Sequence, residues 1–335
     1  MIPETMTAIE LRNYDGPDGL AVTQKPVPRP GRGEVLVKIA AASVNPSDLM
    51  FIQGRYGFSK PLPVVGGFEG SGTVVAAGEG LRARYLVGRR VACAVQESGD
   101  GTWAEYVRTG ADFCVPLRRE VTLEQGAMLV VNPFTAWALV DLAQRGGHRF
   151  VVQTAAASAL GQMMIRLGKT RGIEFINVVR RPAQVALLQE LGAKHVLDSS
   201  DPDFDRQLAQ LCHDLGARLA FDAVAGSLTG RVLSAMPRHS TVTVYGGLSE
   251  EACRIEPGQL LFGDKQVNGF WLTPWLRRMN LLKLLATADK VQRALSQELR
   301  SEVQARYPIA QGIEGVRQYM ANMTAGKVLL LGEAG

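Results

Sequence analysis

Cysteine is scarce in this sequence: Cys93, Cys114, Cys212 and Cys253 are the only four in 335 residues, and no two form a C-x-x-C pair. That spacing argues against a zinc knuckle and a disulfide framework, and suits buried, unpaired thiols in a reducing compartment. Long apolar runs are also missing. None approaches the roughly 20 residues of a membrane span, so no membrane helix is expected. Charge of one sign is not in large excess: 37 Lys and Arg face 32 Asp and Glu, a net charge of +5. The arginines fall in separate pairs (Arg89-Arg90, Arg118-Arg119, Arg180-Arg181, Arg277-Arg278) and build no basic run. Nucleic acid is therefore not expected as a partner. The first 19 residues lack the basic-then-apolar order of a secretory signal and are too acidic for a transit peptide, so a cytoplasmic protein is expected. Internal repeats and low-complexity segments are absent too.

What is present is a globular composition, 46% hydrophobic and 21% charged, over a length that suits two domains. The most informative stretch is Arg149 to Arg181. Phe150-Val151-Val152 has the apolar character of a buried parallel strand. A small-residue turn, Thr154 to Gly161, follows it. Leu160, Met163, Met164 and Leu167 then recur at i, i+3, i+4 and i+7, one face of a helix. Phe175 to Val179 reads as a second strand. A β-α-β unit with a tight turn at the helix head can hold a dinucleotide pyrophosphate on unpaired N–H groups and the helix dipole. The G-x-G-x-x-G positions hold Ala156, Ser158 and Gly161, flanked by Ala159 and Leu160, so only the last is glycine. An ordinary tight turn remains the alternative.

An NAD site usually carries an acidic residue at the end of the second strand. Here Arg180 and Arg181 stand in that place. A guanidinium suits a 2′-phosphate, so the expected cofactor is NADPH, held by Arg180 or Arg181. Two solvated arginines at a strand end are the alternative.

The rest of the chain falls into two styles. Residues 1–122 are β-rich and glycine-punctuated, with strands expected at Val35–Ile39, Thr73–Ala76, Arg89–Ala92 and Trp103–Val107, which suggests a partly closed barrel. Asn45-Pro46-Ser47-Asp48 has turn and helix-start chemistry. From 123 the period changes. Helices are expected at Leu123–Val131 and Pro133–Gln144, followed by alternating helices and strands up to a sixth strand, Gln266–Leu272. That alternation predicts an α/β, doubly wound parallel sheet over 123–272. Residues 273–335 hold a helix around Leu281, Leu282, Leu284 and Leu285, expected to lie in the core, and a final apolar run, Val328–Leu331.

Four stretches, NPSDLMFIQGRYG (45–57), VNPFTAW (131–137), INVVRR (176–181) and GFWLTPW (269–275), resemble the medium-chain dehydrogenase/reductase superfamily. The order of elements is similar over essentially the whole chain. The resemblance is to its zinc-free members, 2-enoyl thioester reductases first and NADPH:quinone oxidoreductases next. It implies a GroES-like catalytic domain over 1–122, a Rossmann NADP-binding domain over 123–272, and a C-terminal segment, 273–335, returning to the catalytic domain. The zinc-dependent members have Cys at the position of Asn45, His at Phe68 and Cys near Asn132, and neither Asn nor Phe supplies what a catalytic zinc prefers.

The resemblance also implies site residues. Tyr56 matches a tyrosine that can donate a hydrogen bond or a proton to an enolate, with packing in a loop as its alternative. Asn45 would lie near the nicotinamide, or be a plain helix cap. Asn132 and Thr135 resemble a segment bending over the carboxamide, or a helix N-terminus. Gly246 and Gly247 would end the fifth strand at the carboxyl edge of the sheet. The backbone of Phe270, Trp271 and Leu272 would reach the nicotinamide, and Lys327 is counted with the cofactor-binding residues. Glu69 is expected to order a glycine turn. The implied activity is NADPH-dependent reduction of the C=C of α,β-unsaturated carbonyl compounds such as 2-enoyl thioesters, a small-molecule substrate. Quinone reduction, or nucleotide binding without turnover, are the rivals. A homodimer through the sixth strand is expected.

Overall fold

The computed structural model describes residues 1–95 and 97–332. The chain divides into two compact units, Met1–Phe134 together with the chain from Leu285 onward, and Thr135–Leu284.

The spine of the first unit is the strand Glu34–Ser43. It alternates β-branched and aliphatic residues, and Val35, Val37 and Ile39 are buried to 1% exposure or less, as a strand facing a core requires. Glu69–Ala77, Tyr106–Gly110 and Lys327–Leu331 all pair antiparallel with it. The sheet extends through Arg90–Ala94 to Cys114–Pro116 on one side and to Val303–Pro308 on the other. A smaller sheet joins Thr5–Leu11 to Leu20–Pro26 and Val64–Val65. The core between them holds Ile9, Leu11, Phe51 and Trp103. This is a GroES-like fold.

Several expectations change here. The glycine-rich residues 66–72 do not form a turn before a strand at Thr73. The strand begins at Glu69, and Gly66 and Gly67 lie against the indole of Trp103. A Cβ on Gly67 (φ +92°) would sit 2.4 Å from Trp103 Cδ1, so the wholly buried tryptophan dictates glycine there. Trp103 itself is outside any strand, since the strand expected at Trp103–Val107 runs over Tyr106–Gly110. The first two strands, Thr5–Leu11 and Leu20–Pro26, were not expected at all.

The second unit is a six-stranded parallel sheet in the order His195–Asp198, Glu174–Val179, Phe150–Gln153, Leu219–Asp222, Thr241–Val244, Gln266–Gly269. The chain starts in the middle, builds outward to one side, then returns and builds to the other. The order therefore reverses between Phe150–Gln153 and Leu219–Asp222, the place where doubly wound sheets bind nucleotides. Val152, Ile176, Val178, Ala220 and Val242 form the apolar centre.

The sixth strand is shorter than expected. It ends at Gly269, and Leu272 already begins a helix, Leu272–Arg277. Pro274 lies in that first turn, where its missing N–H costs nothing, whereas it could not extend a ladder. The strand is also mostly exposed, and of its four residues only Val267 is apolar. Leu123–Gly126 is a short helix closed by its own capping box, and Val131–Arg145 is a separate one. In Leu281–Ala294 the leucines are not all in the core: Leu281 is 45% and Leu282 80% exposed, Leu284 and Leu285 are half-buried, and Ala288 and Val291 are buried. Four leucines within five residues cannot all share one helical face. Cys253 is exposed, unlike the other three cysteines.

Candidate functional site

In the second unit, the turn after Phe150–Gln153 has Ala155 at φ +48°, and Ala156 and Ala157 are buried. Ser158 caps the helix Ala159–Thr170, its Oγ accepting from Gly161 N at 3.1 Å. That leaves Ala159 and Leu160 at the open helix end, where the first amides have no intrahelical partner. A Cβ on Gly161 would come 2.4 Å from Ala156 O, so this position accepts no larger residue and the helix packs close to the turn. These features fit a pyrophosphate.

Arg180 and Arg181 follow the strand Glu174–Val179, and both are exposed. Arg181 precedes Pro182, the first residue of the next helix. Two exposed guanidiniums beside the turn suit a phosphorylated ribose. Gly246 and Gly247 follow Thr241–Val244. A Cβ on Gly246 would lie 2.8 Å from Ala223 O, and Leu248 N and Ser249 N bond to the carbonyls of Ala223 and Val224. Phe270 N still bonds to Val244 O at 2.8 Å, Trp271 is the N-cap of the next helix, and Leu272 is its first residue.

The sequence reading missed the residue that ties these loops together. Asp222, at the end of its strand and fully buried, accepts from Thr154 Oγ1 at 2.6 Å across the switch point. It also takes Val224 N, Ala225 N and Thr229 Oγ1. Ala225 has a positive φ of 65°, a conformation costly for a residue with a Cβ and held here by the Asp222 carboxylate. Its position at a strand's carboxyl end was the signal that could have found it.

In the first unit, Tyr56 sits in an aromatic group. Its ring is 4.7 Å from Phe68 and 5.1 Å from Phe58, centroid to centroid. Phe51 completes the group beside Phe58 and Phe68. Lys60 is buried beside it. Its ammonium donates to Gly99 O at 2.8 Å and lies 5.8 Å from the Phe51 and Phe58 rings. Burial pushes this lysine down to about 8, partly offset by Asp100.

Asn45 is the N-cap of the helix Pro46–Ile52, and it is 0% exposed. Its Nδ2 donates to Ser43 Oγ and to Glu69 Oε1, both at 3.0 Å. Its Oδ1 accepts from the Lys327 ammonium. Asn45 N donates to Asp48 Oδ2 at 2.7 Å. Both N–H bonds of the Asn45 carboxamide are thus used within the protein. Lys327, grouped with the cofactor residues on sequence, is 1% exposed. Its pKa is lowered by burial, against the pull of Glu69 and Asp48. Burial raises the Asp48 carboxyl to about 7, opposed by the Asn45 hydrogen bond, and Asp48 Oδ1 is a buried oxygen with no partner among the described residues. Asn132 and Thr135 are the second and fifth residues of the helix Val131–Arg145, both buried. Glu69 does not order a glycine turn. Its carboxylate bonds Ser43, Asn45 and the amides of Val130 and Val131.

Among the described residues, no group of three or more His, Cys, Asp or Glu is arranged to hold a metal, and no helix is long and apolar enough to cross a membrane.

The model of the alcohol dehydrogenase GroES-like domain matches residues 31–119, and that of the zinc-binding dehydrogenase domain matches 159–287. A solved structure from Mesorhizobium loti, assigned as an NADPH:quinone reductase, is 38% identical with a TM-score of 0.92, covering 99% of both chains. A mycobacterial protein solved with NADPH is 28% identical with a TM-score of 0.83, covering 97% of this chain and 99% of that one. The mitochondrial enoyl-[acyl-carrier-protein] reductase of Bos taurus is 34% identical over 256 residues, 73% of this chain. That match spans 66% of the bovine protein's length. The chain belongs to the medium-chain dehydrogenase/reductase superfamily.

Proposed function

We propose that this protein is an NADPH-dependent oxidoreductase that reduces the C=C bond of α,β-unsaturated carbonyl compounds, 2-enoyl thioesters foremost. The observation that carries the reading is the 34% identity with a mitochondrial enoyl reductase over 73% of the chain. NADPH, when bound, supplies the hydride. The amides of Ala159 and Leu160, in the turn formed by Ala156, Ser158 and Gly161, take its pyrophosphate, and Arg180 or Arg181 takes its 2′-phosphate. Gly246 and Gly247, the backbone of Phe270 to Leu272, and Asn132 with Thr135 complete the cofactor site.

Hydride addition at the β-carbon leaves negative charge on the thioester oxygen and an α-carbon to be protonated. Tyr56 meets that need as hydrogen-bond donor or acid. Asn45 has no N–H to spare, so it acts by holding its neighbours, and Lys327 acts through Asn45 and not by touching NADPH. No zinc takes part, because Asn45 and Phe68 occupy ligand positions of the metal-dependent members. The GroES-like part (1–122), the nucleotide-binding part (123–272) and the returning segment (273–335) form the working protein, a cytoplasmic homodimer.

Quinone reduction is the second reading, favoured by the 38% identical, full-length likeness to the Mesorhizobium loti structure. Titrating NADPH fluorescence and then adding crotonyl thioester or a quinone separates the readings. Oxidation of NADPH by the thioester supports the first and oxidation by the quinone alone the second. Binding without turnover leaves a nucleotide-binding protein.

A further inference from the structure

The helix Val131–Arg145 is capped from far away in the chain. Glu69 Oε2 accepts from Val130 N at 2.8 Å and from Val131 N at 2.9 Å, the last residue before the helix and the first residue in it. Glu69 Oε1 accepts from Ser43 Oγ at 2.8 Å and from Asn45 Nδ2 at 3.0 Å. Four donors thus converge on one wholly buried carboxylate, which fills its acceptor capacity. They come from the end of the strand Glu34–Ser43, the cap of the helix Pro46–Ile52 and the head of Val131–Arg145. A negative group at a helix N-terminus is also favoured by the helix dipole. The Lys327 ammonium, held on Asn45 Oδ1, supplies the opposite charge.

We propose that Glu69 is a positioning residue of the site, locking the Asn45 carboxamide and the helix head that carries Asn132 into one joint, with Lys327 as its internal countercharge. A glutamine cannot replace it. Whichever way the amide is turned, its NH₂ faces at least one group that can only donate: the amides of Val130 and Val131 on one side, Asn45 Nδ2 on the other. Asn132 sits one residue beyond the second amide held by Glu69, so loosening that grip shifts a cofactor-site residue without touching cofactor or substrate. What the joint positions rests on the reading in the preceding section, but the joint itself does not.

The test uses Glu69→Gln and the double variant Glu69→Gln/Lys327→Met in the full chain. Positioning predicts that Glu69→Gln lowers kcat for NADPH-dependent thioester reduction by about 10-fold or more, with thioester KM within about 3-fold of wild type. In the double variant, measured near pH 6 where the Asp48 carboxyl, raised to about 7, is protonated, the buried charge is again balanced, so Tm rises back toward wild type while kcat stays low. A wild-type kcat in Glu69→Gln overturns the proposal, and so does recovery of kcat together with Tm in the double variant. Should the wild-type protein reduce neither thioester nor quinone, the functional reading fails and the joint is read by hydrogen exchange. Val130 and Val131 amides then exchange faster in Glu69→Gln than in wild type, relative to Val35 and Val37 in the same unit. Unchanged protection at both amides overturns it.

Discussion

The rings of Tyr56 and Phe68 stack with centroids 4.7 Å apart and planes inclined at 39°. Phe58 meets Tyr56 edge-on at 86° and also contacts Phe68, with centroids 5.9 Å apart. The phenol ring is therefore held in a three-ring cluster by two aromatic contacts, each worth about 0.5–1.5 kcal/mol beyond area. Tyr56→Phe keeps that packing and deletes only the hydroxyl. Enoyl-thioester turnover should fall roughly 10²-fold or more, with NADPH affinity unchanged and quinone reduction little affected. Steady-state kinetics decide this, and a wild-type thioester rate in the variant makes Tyr56 a packing residue.

Arg180 and Arg181 are exposed at the end of Glu174–Val179. Removing a charged hydrogen bond from the 2′-phosphate should weaken NADPH binding by roughly 1–3 kcal/mol in Arg180→Ala, with NADH binding unaltered. Fluorescence titration measures both. Equal affinity of the wild-type protein for the two nucleotides would remove the basis for NADPH.

Asp48 gives a pH dependence. Its folded pKa of about 7 lies above the ordinary 3.8, because burial outweighs the Asn45 hydrogen bond. The folded state then holds the proton more tightly than the unfolded one. The stabilising contribution is full below the unfolded value and is lost as pH rises through the folded value. Glu69, Lys327 and Tyr319 are the other titratable groups facing it. Lys327, whose folded pKa is depressed below 10.5 by burial, acts with opposite sign. Thermal melts between about pH 4.5 and pH 8 should show stability falling with pH in wild type. Asp48→Asn, which keeps an acceptor for Asn45 N, should flatten the slope. Parallel curves would dismiss Asp48 as the titrating group.

Chelators should leave activity unchanged if, as the resemblance implies, Asn45 and Phe68 replace the thiolate and imidazole that a catalytic zinc takes. Elemental analysis of the purified protein checks this. Stoichiometric zinc that is lost together with activity would reverse the zinc-free reading.

Gln266–Gly269 is the outer strand of the six-stranded sheet and is largely exposed. Leu261 and Phe262, just before it, are 73% and 78% exposed. An open strand edge beside exposed apolar side chains invites pairing with a second copy. Sedimentation at micromolar concentration should give a dimer. The N–H groups of Gln266 and Phe270 face the neighbouring strand, so that of Val267 faces the open edge, and Val267→Pro should shift the protein toward monomer. A monomeric wild-type protein counts against this interface.

The nucleotide-binding unit was legible because its signals are local. A strand at Phe150–Gln153, a helix at Ala159–Thr170 and a strand at Glu174–Val179 follow one another within about 30 residues, and each has its own hydrophobic period. The barrel was less legible. Thr5–Leu11 gains its stability from pairing with Leu20–Pro26 and Val64–Val65, and strand pairing leaves little trace in a short stretch of sequence. The leucines near 281 misled for a related reason: composition marks an apolar segment, but the helical phase decides which side chains are buried.

The residues by themselves determined the two styles of fold, the small-residue turn at Ala156 to Gly161, and the basic end of the second strand at Arg180 and Arg181. Only the tertiary structure decided what Asn45, Glu69 and Lys327 do to one another. Asn45 and Lys327 are 282 residues apart in the chain, yet they meet in one buried hydrogen bond. Glu69 reaches helix amides more than 60 positions away. A buried charge must find its donors wherever the folded chain brings them, because water is no longer there to supply them. No local pattern records which distant groups those will be.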